Sequence, residues 1–161
     1  DGLYQCRVAK TKGIQKMTTD SDKKKCTLHV CTSCRAAGTP REPKENRPGF
    51  MLFHELKKHI NENHLKDTVE VVPAKCLSIC PRPCGIAISC EGAWTYLFGD
   101  QNPKTTVNDI IDCISVYINS ERGFMERSQR PKSLRSSILG RVPPIQGESK
   151  CIIAKQKEDK Q

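Results

Sequence analysis

Five cysteines in two groups have the spacing of metal ligands. The first group is Cys31-x2-Cys34, and the second is Cys76-x3-Cys80 followed by Cys84. Sulfurs this close along the chain suit ligation of one ion or cluster, whereas a disulfide across so short a loop saves little chain entropy. Four thiolates complete either a tetrahedral zinc site or a [2Fe–2S] cluster. We therefore predict one metal or cluster site, with all five cysteines as candidate ligands.

Three other roles for these cysteines compete with metal binding. Ten cysteines, an even number, would also allow disulfides in a secreted protein. Free cysteines are often simply buried, but Pro81 and Pro83 bar regular structure around the second group, and three sulfurs in a rigid loop favour ligation. A thiol–disulfide enzyme would use the first pair. In thioredoxins that pair begins a helix directly, whereas here Gly38 and three prolines come before Phe50.

Hydrophobic periodicity predicts the elements that position these groups. Short β-type runs fall at 27–30, 68–72, 86–88 and 94–98, and helical periods at 50–60 and 107–118. Thr106-x-x-Asp109 resembles a capping box for the second helix, and a weaker helical pattern covers 134–139 and ends at Gly140. A strand–helix–strand unit followed by a hairpin and a helix predicts an α/β fold with a small, mixed, thioredoxin-like sheet.

This topology predicts where the two cysteine groups meet. Each group follows one of the first two strands. If those strands are parallel neighbours joined by a right-handed crossover, both loops open at the same edge of the sheet, where open α/β sheets place their ligands. The pairs would then converge although more than forty residues separate them.

The apolar residues are concentrated in the middle of the chain. They lie between Thr27 and Ile118, while the flanks are rich in Lys, Arg, Ser and Gln. We therefore predict a flexible basic N-terminal arm at 1–25, a thioredoxin-like ferredoxin or metal-binding domain at 26–120, and a basic C-terminal extension at 121–161. Two further cysteines, Cys90 and Cys113, follow the apolar patterns and are expected in the core. Cys6, Cys26 and Cys151 are expected in the tails.

The chain carries a formal net charge of +9 over 161 residues, which favours acidic partners. Because aromatic residues make up only 5%, base-stacking surfaces are scarce, and we expect an acidic redox-partner protein rather than nucleic acid. No apolar run reaches the length of a membrane span. The first residues are too polar for a signal peptide, so we expect the cytoplasm, or an organelle interior if a targeting segment has been removed. A homodimer remains open.

The motifs around the cysteines resemble those of a known family. They are Val30-Cys31-Thr32-Ser33-Cys34-Arg35, Arg41-Glu42-Pro43, Arg47-Pro48-Gly49, Cys76-Leu77-Ser78-Ile79-Cys80, Trp94-Thr95-Tyr96-Leu97-Phe98-Gly99-Asp100 and Gly140-Arg141-Val142-Pro143-Pro144. Over about 28 to 145 the chain resembles an uncharacterised, mostly bacterial family described as predicted metal-binding proteins. That family is in turn similar to thioredoxin-like [2Fe–2S] ferredoxins.

The resemblance implies a function and most of a ligand set. Cys31 matches the first ferredoxin ligand, and Cys76 and Cys80 match the last two. The second ligand has no counterpart, because this sequence has no cysteine near Pro43 to Glu45; Cys34 and Cys84 are the two candidates for its place. The implied function is a non-enzymatic [2Fe–2S] protein for electron transfer or redox sensing. The alternative is a zinc-binding structural protein or one that delivers cobalt or iron, without electron transfer.

Overall fold

The computed structural model describes residues 26–36 and 38–145. The predicted arm at 1–25 and the end of the predicted extension, 146–161, lie outside this part of the chain. The elements, in chain order, are β1 (Cys26–Cys31), α1 (Pro48–Asn61), β2 (Val69–Ala74), β3 (Ile86–Ser89), β4 (Thr95–Phe98), α2 (Val107–Asn119), α3 (Lys132–Ser136) and β5 (Ile138–Val142). The predicted order of strand, helix, strand, hairpin and helix is observed.

The strands form one mixed sheet in the order β2-β1-β3-β4-β5. β1 and β2 are parallel, while the other neighbours are antiparallel. This confirms the predicted parallel pair and the predicted hairpin. Because side chains alternate along a strand, the register aligns two apolar rows on one face of the sheet. The rows are Leu28–Ile88–Tyr96 and Val30–Ile86–Phe98, all of them buried.

Both long helices cover this apolar face. α1 begins with Pro48 in its first turn, where a missing N–H costs nothing, and it packs against β1, β2 and α2. The predicted capping box of α2 is wrong. The Thr106 hydroxyl makes no bond to the first turn of the helix and instead accepts from the Asn102 N–H at 3.0 Å. The carboxylate of Asp109 accepts a hydrogen bond from the Ser133 hydroxyl of α3.

Part of the predicted C-terminal extension belongs to the folded domain. Met125 and Leu134 are fully buried, and the Met125 N–H donates to the Tyr96 hydroxyl at 2.8 Å. The helix predicted for 134–139 is wrong at its second half, because α3 ends at Ser136 and Ile138 begins β5. β5 pairs with the edge of β4, and satisfying the backbone groups of that edge outweighs the weak helical period. Within the described residues, no helix is long and apolar enough to cross a membrane.

Replacing Leu134 with alanine tests whether this segment contributes to the core. Since Leu134 is fully buried, we expect Leu134→Ala to lower the free energy of unfolding by about 2–5 kcal/mol. The matched control is Val142→Ala, at a side chain that is 61% exposed, which should change stability by less than about 0.5 kcal/mol. Urea denaturation followed by circular dichroism measures both. Equal stability of Leu134→Ala and the parent would contradict the packing.

Candidate metal centre

The two cysteine groups meet at one end of the sheet. Cys31 is the last residue of β1 and is paired with Ala74 at the end of β2, two residues before Cys76. The connection continues beyond the strands, because the Thr32 N–H donates to the Ala74 carbonyl at 2.9 Å and the Ser33 hydroxyl donates to the Lys75 carbonyl at 2.6 Å. Parallel pairing of β1 with β2 thus brings the two loops side by side, as the topology predicted.

Three of the five predicted cysteines are buried together at this end. Cys31, Cys34 and Cys84 are only 2%, 4% and 2% exposed. The Cys34 thiol interacts with the thiols of Cys31 and Cys84, and these interactions shift the pKa values of all three. Cys84 reaches the group because it immediately precedes Gly85, whose carbonyl accepts from the Cys31 N–H at 3.0 Å. Thiols of both sequence groups therefore lie near one another at this end of the sheet.

Interactions among the three thiols shift their pKa values in different directions. The interaction with Cys34, together with burial, raises the pKa of Cys31. The interaction with Cys31 lowers the pKa of Cys34, but the interaction with Cys84 and burial together raise it by more, so the net shift is upward. The interaction with Cys34 lowers the pKa of Cys84, although burial acts in the opposite direction. Cys84 is thus the thiol of this group that most readily becomes a thiolate.

Backbone N–H groups surround the sulfurs of both loops. The N–H groups of Leu77 and Ser33 lower the pKa of Cys31, and that of Gly85 lowers the pKa of Cys34. In the second loop the Ser78 N–H donates to Cys76 Sγ at 3.3 Å. Such donors stabilise negative charge on sulfur, and the same kind of bond tunes the potential of protein-bound clusters. Sequence patterns do not show these donors, because any residue type can supply them.

Cys76 and Cys80, the other two predicted ligands, are exposed. Cys80 nevertheless lines a cavity of about 220 Å³ whose wall also includes Cys34, Ser33 and Pro83. As the side chains stand, no group of three or more His, Cys, Asp or Glu residues in 26–36 and 38–145 is arranged to hold a metal ion. The structure therefore brings three buried cysteines to one end of the sheet and places Cys80 across a small cavity, but the side chains would have to rearrange to close a site.

The loop that carries Cys76, Cys80 and Cys84 is anchored outside the sulfur group. The Arg82 guanidinium forms an ion pair with Asp100 and donates to the Ser136 carbonyl at 3.1 Å. Ser78 adopts a left-handed backbone with φ of 57°, which costs a non-glycine residue about 1 kcal/mol. This turn brings the Ser78 N–H to Cys76. An anchored loop with a strained turn is typical of a site whose geometry is held for a ligand.

The remaining described cysteines lie away from this group. Cys113 is fully buried, as expected for a core residue, and Cys90 is partly buried. The prediction that Cys26 lies in a tail is wrong, because Cys26 is the buried first residue of β1. It hydrogen-bonds with Cys90, and burial followed by this contact raises the pKa of Cys26 to about 12. Cys6 and Cys151 lie outside the described residues.

The residues present fit a thiophilic metal or an iron–sulfur cluster. Thiolate sulfur is the donor that such groups prefer, and buried sulfurs bonded by backbone N–H groups provide the surroundings that a negatively charged centre needs. The five cysteines at this end of the sheet supply more than the four ligands required. Cys31, Cys34 and Cys84 would form the buried side of the site, and Cys76 and Cys80 its exposed side.

Gly49 offers a direct test of how tightly the first cysteine loop is held. A Cβ atom at Gly49 would collide with the Cys31 carbonyl oxygen and lie 3.0 Å from Cys34 Cβ. We expect Gly49→Ala to displace this loop and to lower the amount of metal bound per chain, as measured by elemental analysis of anaerobically purified protein. Gly140→Ala is the matched control, because a Cβ there meets nothing within 4 Å. Full metal content in Gly49→Ala would contradict the close packing.

Comparison with solved structures gives the fold. A thioredoxin-like [2Fe–2S] ferredoxin from Aquifex aeolicus matches with a TM-score of 0.51 at 16% sequence identity, covering 78% of this chain and 99% of that one. Another structure of the wild-type ferredoxin from that organism has a TM-score of 0.47 at 14% identity and covers 73% of this chain and 98% of that one. The fold is thioredoxin-like, as predicted.

Comparison of sequences gives the family. No curated protein matches the chain. The pattern of a protein family of unknown function, DUF1636, matches residues 28–144. This range contains all five predicted ligands and runs from β1 to just beyond β5. The chain therefore belongs to the DUF1636 family and has the fold of thioredoxin-like ferredoxins.

Proposed function

We propose that this protein is a [2Fe–2S] protein that transfers electrons or senses redox state, with a cluster held by cysteines of the two loops. The observation that carries the proposal is the burial of Cys31, Cys34 and Cys84, from both sequence groups, near one another at one end of the sheet. The similar structures from Aquifex aeolicus are themselves described as [2Fe–2S] ferredoxins. Their likeness to this chain supports the fold, and the sulfur group supports the cluster.

Cys31, Cys76 and Cys80 are the proposed ligands, with Cys34 or Cys84 as the fourth. Cys84 has the lowered pKa within the buried group, so it would bind metal with the smallest cost of deprotonation. Cys34 lines the same cavity as Cys80, so the two thiols face one space. The two candidates therefore differ in what favours them, and substitution distinguishes them.

The buried and the exposed cysteines would have different roles at such a centre. A bound [2Fe–2S] cluster supplies one-electron transfer. Buried Cys31, Cys34 and Cys84 would shield one side from water, whereas exposed Cys76 and Cys80 would leave the other side near the surface, where a partner can approach. The N–H groups of Leu77 and Ser78 would stabilise the negative charge on the sulfurs and so raise the reduction potential.

The partner is proposed to be an acidic redox protein. The net charge of +9 favours encounter with a negatively charged surface. The role is proposed to be non-enzymatic, without binding of nucleic acid, in the cytoplasm or an organelle interior.

A zinc site without electron transfer is the second candidate, in a structural protein or one that also delivers cobalt or iron. The observation that favours it is the burial of the Cys31, Cys34 and Cys84 thiols near one another. One tetrahedral ion would hold its sulfurs close together in this way.

The absorption spectrum and metal content of the anaerobically purified chain separate these candidates. We expect bands at roughly 400–500 nm and two irons per chain for a [2Fe–2S] cluster. Cys31→Ser, Cys76→Ser and Cys80→Ser should each lose the bands, because each removes a ligand. Of Cys34→Ser and Cys84→Ser, the one that loses them identifies the fourth ligand.

The matched control is Cys113→Ala, since Cys113 is buried in α2 beside Met125 and is not a member of the sulfur group. This variant should keep the full spectrum. A colourless parent protein with one zinc per chain would contradict the cluster and support the second candidate. Full metal content in both Cys76→Ser and Cys80→Ser would contradict the ligand set.

A further inference from the structure

A second cavity lies at the other end of the strand order, beside β5. It has a volume of about 470 Å³, and its wall is formed by the segment 124–130 and by β5. Arg127, Arg130 and Arg141 contribute to it together with apolar side chains, including Phe124. The volume falls in the range of about 300–1,000 Å³ that is usual for small-molecule sites. Three guanidinium groups around one cavity would repel one another unless an anion were bound between them.

Arg130 is the clearest sign that this cavity suits an anion. Its side chain is only 6% exposed, and its Nε is buried without a hydrogen-bond partner among the described residues. Its one hydrogen bond there runs from Nη1 to the Leu134 carbonyl at 3.4 Å. Burial lowers the pKa of Arg130; Tyr96 and Cys113 oppose this shift, whereas the charges of Arg127 and Arg141 add to it. A buried arginine is normally paired with an acceptor, because an unpaired charge is expensive to bury.

Carboxylates of the described residues do not pair with these arginines. Glu126 also lines the cavity, yet no ion pair in 26–36 and 38–145 joins a carboxylate to any of the three arginines. Arg127 donates to the Arg135 carbonyl at 3.4 Å, a long bond that leaves most of its donors available. The guanidinium groups thus keep unused N–H donors beside the cavity.

Arg141 is held in place by aromatic rings. Its guanidinium carbon lies 5.3 Å from the ring centre of Trp94 and 4.6 Å from that of Phe124, and the two rings are packed edge to face. Stacking uses the flat face of a guanidinium and leaves its N–H edge free. An arginine fixed in this way can bind an anion with less loss of side-chain entropy than a mobile one.

We propose that this cavity binds a phosphate ester, with the phosphoryl group between Arg127, Arg130 and Arg141. Guanidinium groups match phosphate oxygens through paired N–H donors, and a dianion balances their charge better than a single carboxylate would. The remaining volume and Phe124 would accommodate the organic part, and Glu126 can accept a hydrogen bond from one of its hydroxyls. The site does not depend on the proposed cluster, because none of the five candidate ligands lines this cavity.

The fluorescence of Trp94 provides the first readout, since it is the only tryptophan of the chain. We would titrate the full chain with inorganic phosphate and with ribose 5-phosphate at constant ionic strength, using ribose as the uncharged control. We expect a saturable change with both phosphates, tighter binding of the ester and no change with ribose. No saturable change with either phosphate would overturn the proposal.

Calorimetric titration of charge-reduced variants shows whether the arginines form the site. Arg127 and Arg141 are exposed, so Arg127→Gln and Arg141→Gln should remain folded by circular dichroism. Each should weaken binding of ribose 5-phosphate by about tenfold or more, the usual effect of losing a hydrogen bond to a charged group. Lys66→Gln removes the same charge at an exposed position just before β2 and should leave binding unchanged.

The variants also separate a specific site from general attraction to a basic protein. An equal loss of affinity in Lys66→Gln and Arg127→Gln would overturn the proposal, because binding would then follow net charge alone. Unchanged affinity in both arginine variants would overturn it as well. Since the measurement needs no bound iron or zinc, its outcome is independent of whether the cluster is present.

Discussion

The parallel pairing of β1 with β2 is the constraint on which the rest of the candidate site depends. It aligns Cys31 with Ala74 at the ends of the two strands, so that the loop after each strand leaves the sheet at the same end. The antiparallel entry of β3 then brings Cys84 to this end from the other side. Three chain segments that are distant in sequence thereby deliver sulfur to one place. Without this register, the two cysteine groups would be unrelated features of a basic chain.

The environment of the sulfurs is as important as their convergence. Burying a thiolate is costly unless hydrogen bonds or a metal compensate for its charge. Here backbone N–H groups of both loops bond to sulfur, and one buried thiol has a lowered pKa. The Arg82–Asp100 ion pair fixes the second loop to the rest of the domain. These features cost backbone freedom, which is readily explained if the loops must hold a negatively charged centre.

Periodicity predicted the architecture well but missed features that depend on tertiary contacts. The strands, the two long helices and the parallel crossover followed from apolar spacing, because that spacing reports which face of an element is buried. The helical period of Leu134, Ile138 and Leu139 predicts a helix where β5 begins. The sequence does not show that β4 has an open edge with which this segment pairs. The three lysines before Cys26 favour a solvated tail at this position, so the pattern does not indicate that β1 begins there. Thr106 found a partner in Asn102, a contact that a local motif does not contain.

The convergence of the two cysteine loops could be predicted from the sequence, but the arrangement of their side chains could not. Spacing singled out five cysteines, but it could not tell that Cys31, Cys34 and Cys84 are buried while Cys76 and Cys80 are exposed. Backbone donors and the close approach of Gly49 have no signature in residue type. The cavity beside β5 could not be predicted either, because the sequence shows its arginines only as part of a basic extension.

X-ray absorption at the iron edge of the anaerobically purified chain tests the central claim most directly, because it reports the atoms around the metal. Convergence of thiolates on a two-iron cluster predicts a first shell made only of sulfur, with a second iron as the next neighbour. A first shell dominated by nitrogen or oxygen, or iron without an iron neighbour, would contradict it.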